Sequence, residues 1–130
     1  MHHVFVYCEA YREWRAEAEA SVVEWTKDRL ATLEVEEVVA NNLLKSAKSL
    51  FTDDPSVWPP QKTLFYLGQL PKVDPLISSG SVEPGEVFRK RLKCHIVNGW
   101  HLSCIRLAGR IFGDFQRRMA VLNDVRKTTL

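Results

Sequence analysis

The chain has 130 residues, of which 45% are apolar and 26% charged, and its formal charge is +2. That length supports one domain around one core and is too short for two. Near-neutrality excludes a protein that holds nucleic acid by bulk charge, so such affinity would have to come from local clustering of basic residues. No run approaches the roughly 18 apolar residues of a membrane span.

The three cysteines are Cys8, Cys94 and Cys104. They cannot all pair with one another, and Val4-Phe5-Val6-Tyr7-Cys8 is too short for the apolar segment of a secretory signal. The expected setting is intracellular and reducing, in nucleus or cytoplasm, with the cysteines as thiols or metal ligands.

Residues 2–8 alternate loosely between apolar and polar and suit a brief β-like segment. From Glu9 the period changes. Tyr11, Trp14, Ala18, Val22 and Trp25 recur at three and four while charged residues take the other faces, which predicts an amphipathic helix to about Leu33. Val35, Val39, Leu43, Ala47 and Leu50 continue the same spacing and predict a second helix. The junction near Ala31–Glu34 holds neither Gly nor Pro, so separate and merged helices both remain open. Thr52-Asp53-Asp54-Pro55 ends the pair, because Pro55 lacks the donor a helix needs and disfavours helical geometry at Asp54. The paired carboxylates there suit a turn better than a divalent-metal site.

All six prolines fall between Pro55 and Pro84, so this stretch is expected to be mostly loop. Within it, Leu64-Phe65-Tyr66-Leu67-Gly68 is apolar enough to require packing on the helices. The last third carries one continuous stripe: Phe88, Leu92, Ile96, Trp100, Cys104, Leu107, Ala108, Ile111, Phe115, Met119 and Leu122. It predicts one long helix from about Pro84 to about Asn123, with Arg106, Arg110 and Arg117 opposite the stripe. The fold class expected is all-α, in a single domain over 1–130. Residues 1–8 lead in, 9–51 form a helical pair, 52–83 a loop-rich connector and 84–123 the long helix.

Two constellations could carry chemistry. His3-x4-Cys8 supplies two of the four tetrahedral ligands of a structural zinc, and a turn histidine beside a buried thiol is the simpler alternative. No Cys-x2-Cys is present to complete it, so zinc would need further ligands. The group Cys94, His95, His101 and Cys104 has no spacing of a closed zinc site, since helical geometry points its members apart. The second constellation is the basic side of the long helix, where Arg106, Arg110, Arg117 and Arg118 form a candidate face for RNA or DNA phosphates; a solvated helix face is the alternative. Catalytic signatures are absent: there is no Gly-x-Ser-x-Gly, no phosphate-cradling Gly loop and no His-Glu-x-x-His.

Two stretches resemble a known family. His2-His3-Val4-Phe5-Val6-Tyr7-Cys8-Glu9-Ala10-Tyr11-Arg12-Glu13-Trp14-Arg15 is similar to the second half of the zinc-binding region at the C-terminus of non-LTR retrotransposon reverse transcriptases. Trp100-His101-Leu102-Ser103-Cys104-Ile105-Arg106-Leu107-Ala108-Gly109-Arg110-Ile111-Phe112-Gly113 and Gln116-Arg117-Arg118-Met119-Ala120 resemble the helical tail that closes some of these polyproteins. The resemblance implies a non-catalytic fragment: the polymerase aspartate motif is absent, and only His3 and Cys8 stand at matched ligand positions. It also implies weak, salt-sensitive RNA or DNA binding. The alternative expectation is a helical scaffold or oligomerisation module, pairing with further copies of itself and touching neither nucleic acid nor membrane.

Overall fold

A computed structural model describes residues 2–52 and 65–129, with the side chains of residues 3–52 and 65–124. The described residues are helical with no strand. In chain order they form α1 (His2–Val6), a 3-10 turn (Glu9–Tyr11), α2 (Arg12–Thr32), α3 (Glu37–Lys48), a second 3-10 turn (Phe65–Leu67), α4 (Asp74–Ile77) and α5 (Glu86–Thr129). The all-α expectation is met. Asp53, Asp54 and Pro55 lie outside the described residues.

The β-like start is corrected to a helix. Residues 2–6 curl into α1 because there is no neighbouring strand to pair their backbone, and Arg15 satisfies the carbonyls at its end. The Arg15 Nη1 donates to Cys8 O at 3.0 Å and to Phe5 O at 3.5 Å. Phe5 then stacks on Tyr66 with ring centroids 4.6 Å apart and meets Phe65 edge-on at 6.4 Å. The apolar loop piece is thereby pinned, as its composition requires, between α1 and α5.

α2 and α3 are separate helices joined by a tight turn. Val35 N–H donates to Leu30 O at 3.1 Å and Glu34 N–H to Ala31 O at 3.2 Å, the double bond of a Schellman ending. Glu34 occupies its left-handed position, with φ of 54°. A glutamate is there without the glycine that usually marks this ending, which is why the sequence leaves the junction open.

α2 runs antiparallel to α5 and contacts both α5 and α3. Its buried side chains are Tyr11, Arg15, Val22, Thr26 and Leu30, while Trp14 and Trp25 flank them half-buried. The core face is therefore turned by about one residue from the apolar stripe. Two polar groups are responsible: Arg15 holds the α1 carbonyls, and Thr26 accepts a 2.9 Å hydrogen bond from the buried Trp100 Nε1 while donating to Val22 O. On α3 the buried residues Val39, Leu43 and Ala47, followed by Leu50, match the expected spacing.

α4 and the loop after it are fixed by charge. Asp74 pairs with Lys93 at 2.8 Å and with Arg89 at 3.9 Å, and Arg89 also meets Glu83 and Ser78. Glu36 accepts hydrogen bonds from the backbone and hydroxyl of Ser81, which hold its carboxyl below the usual range.

α5 is longer than expected, Glu86–Thr129 rather than 84–123, and its stripe is buried only in part. Leu92, Ile96, Trp100, Cys104, Leu107 and Ile111 are core residues. Phe115 is only half-buried, and Met119 and Leu122 are 42% and 54% exposed, which corrects the expectation that the stripe stays covered to its end. The reason is a difference in length: Tyr11, at the start of α2, lies beside Asp114, and α5 runs on past it.

Candidate nucleic-acid interface and metal half-site

The four arginines expected to face phosphates lie between the middle and the last third of α5, and three of them are engaged within the chain. Arg106 and Arg110 line a groove of about 330 Å³ between α2 and α5, together with Trp14 and Trp25. Arg110 Nη1 donates to Glu17 Oε2 at 2.9 Å, and its guanidinium stands 3.9 Å from the centre of the Trp14 ring. Arg117 and Arg118 share Asp114, at 3.2 and 2.8 Å. Arg106 is exposed and forms no ion pair among the described residues.

Asp114 is the hub of this surface. It also accepts a 2.9 Å hydrogen bond from the Tyr11 hydroxyl. That bond, followed by the bonds and charge of Arg118 and the bond from Arg117, holds its carboxyl below the ordinary range. Tyr11 shifts the opposite way, raised by burial and then by the hydrogen bond and charge of Asp114. The arrangement ties the start of α2 to the middle of α5. Three of the four arginines meet two carboxylates here, so the local positive excess is half what the four arginines alone suggest.

The aromatic residues of the groove are also occupied. Arg110 covers Trp14, and Arg29 stands 5.4 Å from the Trp25 ring centre. Trp25 is pressed against Gly99 so closely that a Cβ there would lie 2.0 Å from its ring. Sequence-tolerant binding of single strands needs free ring faces on which bases stack. In this groove the rings pack against arginine and backbone.

The metal half-site is divided between a helix and the turn after it. His3 lies on α1 and is exposed; Cys8 is half-buried beyond the helix end, its N–H donating to His3 O at 2.8 Å. Among the described residues no three His, Cys, Asp or Glu side chains gather as a metal site. On α5, Cys94 is exposed and accepts a hydrogen bond from Asn98, whereas Cys104 is fully buried, and burial pushes its thiol up to about 12. At neutral pH Cys104 is therefore a protonated core thiol.

A second depression lies on another side of α5. It has a volume of about 650 Å³ and an almost wholly apolar lining that includes Phe5, Tyr66, Leu67, Ile105 and Phe112. Leu67 and Ile105 are 64% and 57% exposed at its rim. Sequence reasoning missed this surface, because Ile105 and Phe112 fall outside the main stripe and Leu67 is far away in sequence. It also missed Arg15 and Asp114, whose roles depend on carbonyls and hydroxyls of other elements. Among the described residues, no helix is long and apolar enough to cross a membrane. Comparison with family models, curated proteins and solved structures returns no match.

Proposed function

We propose that this chain is a non-catalytic helical scaffold that engages another polypeptide through α5. The observation that supports this reading is the projecting end of the long helix. From Gln116 to Asp124 every side chain is exposed, among them Met119, Val121 and Leu122 at 42%, 61% and 54%. The apolar side chains of this segment have no packing partner among the described residues, and Met119 and Leu122 share one face of the helix, the kind of exposed apolar surface that marks an interaction site. The arginines fit the same reading, because Arg110, Arg117 and Arg118 spend their charge on Glu17 and Asp114.

A second reading keeps the resemblance to a retrotransposon reverse transcriptase tail, with weak RNA or DNA binding. It is favoured by Arg106, exposed and without an ion pair among the described residues, in a groove that also holds two tryptophans. Fluorescence anisotropy with single-stranded RNA and with duplex DNA, from about 50 to 200 mM salt, separates the two. The scaffold reading expects no saturable binding. Salt-sensitive binding that disappears on Arg106→Glu would replace it with the second reading.

A further inference from the structure

We infer that the polypeptide engaged by α5 is a second copy of this chain, paired with it antiparallel along a seam from Ile105 to Leu122. The inference rests on the scaffold reading and names its partner.

The seam joins the exposed end of the long apolar stripe, Phe115, Met119 and Leu122, to Ile105, Ala108 and Phe112, and lies beside the part of the stripe buried in the core. Ile105, Ala108, Phe112, Phe115, Met119 and Leu122 step by three, four, three, four and three, the alternation that keeps a helix face against another helix. At about 100° per residue these six positions span about 100° of the circumference, and Arg106, Arg110 and Arg117 lie on the opposite side. Ile105, Phe112, Met119 and Leu122 are 57%, 40%, 42% and 54% exposed, whereas Ala108 and Phe115 are half-buried and Phe112 meets the Phe5 ring at 6.5 Å, so among the described residues the seam is most open toward Leu122.

The stripe is self-complementary when the second helix runs the other way. Ile105 then faces Leu122 of the partner subunit, Ala108 faces the partner's Met119, and Phe112 faces the partner's Phe115. The same three contacts recur in reverse across the two-fold axis, as an isologous dimer requires. The sizes suit this direction, since the small Ala108 receives a long methionine and the phenylalanines meet at the centre. A parallel pair would set alanine against alanine and leave a gap in that layer, which costs stability in a packed seam.

Three further observations fit. Ile105, Ala108, Gly109 and Phe112 line the α5 side of the 650 Å³ apolar depression, so the projecting end of one copy would close the groove of the other beside Leu67. A methyl group on Gly109 would meet nothing within 4 Å among the described residues; beside the seam, a glycine lets a partner helix approach. The flanking positions Gly109, Gln116 and Asn123 are uncharged, so along that edge of the seam no like charges meet. The paired length is about 26 Å of helix on each copy.

The test is sedimentation velocity on the full chain, from micromolar to near-millimolar concentration, for wild type and for the double variant M119E/L122E. Both substituted residues are exposed in the single chain, so the variant keeps its core. Self-pairing expects a wild-type dimer and a monomeric variant that still melts cooperatively. A wild type that is monomeric throughout, or a variant that remains dimeric, overturns it. Orientation is read in a C8S/C94S background, where Cys104 stays buried and protonated. Under oxidation, A108C and M119C chains should cross-link when mixed and not separately, whereas M119C cross-linking to itself would refute the antiparallel direction. The nucleic-acid titration tests the scaffold reading separately, so a monomeric chain that binds no RNA removes only the self-pairing.

Discussion

Trp100 and Thr26 show how a single polar contact holds the core. The indole is fully buried and donates its N–H to the Thr26 hydroxyl, which is buried too. Thr26→Val keeps the shape and removes the acceptor, leaving a buried N–H without a partner. The expected cost is about 1–3 kcal/mol, read as a lower midpoint in chemical denaturation. Trp100→Ala removes the whole ring and should cost about 3–5 kcal/mol, enough to unfold a domain of ordinary stability. Glu34 is the converse case, a residue less suited than its alternative. Its φ of 54° is a conformation glycine adopts freely and glutamate does not. Glu34→Gly is expected to stabilise by about 1 kcal/mol, and a lower melting temperature would show that the α2 ending is not as described.

Among elements, the helices were legible wherever burial followed apolar spacing and illegible where polar groups or chain length intervened. Leu43, Ala47 and Leu50 of the α3 stretch, and Leu92 through Ile111 of α5, are core positions that spacing alone assigns. On α2 the same rule favours Trp14 and Trp25, yet Arg15 and Thr26 take the buried positions. A guanidinium reaching two carbonyls and a hydroxyl meeting an indole on another helix leave no trace in hydropathy. The candidate binding residues divide likewise: spacing places the arginines on one helix, but the carboxylates they meet come partly from α2. The alternation over residues 2–8 does not make a strand, because so short a run holds extended geometry only where a second strand pairs with it.

The joint between α2 and α5 has a pH signature. Asp114 is held below the ordinary carboxyl range, first by the Tyr11 hydroxyl and then by the arginines. Its ionised form is therefore favoured by folding, and this stabilisation is fully present above about pH 4, the unfolded carboxyl value. It is lost as pH falls through the lower folded value. The melting difference between wild type and Asp114→Asn should be constant near neutrality and shrink in acid. A difference that grows in acid would contradict the sign.

In the molecule as a whole, a compact bundle carries one helix that outlasts its supports. α2 begins beside Asp114, so nothing in the described chain covers α5 beyond that level, and the apolar residues there stay exposed. The resemblance to a reverse transcriptase tail pointed to the opposite face, where the arginines are. On that side Arg110 is bound to Glu17 and Trp14, and Arg117 and Arg118 to Asp114. Individually such exposed pairs contribute little; Arg110–Glu17 joins α5 to α2, while Arg117 and Arg118 hold Asp114 within α5, where it meets Tyr11. The most direct measurement of whether these arginines serve the fold or a nucleic acid is made on the triple variant R106E/R110E/R117E, recording its melting and its affinity for single-stranded RNA at low salt. The scaffold account expects melting to fall by several degrees, because carboxylates would then face Glu17 and Asp114, and it expects no RNA binding by wild type or variant. Strong, salt-sensitive binding by wild type that the variant loses with unchanged melting would contradict it.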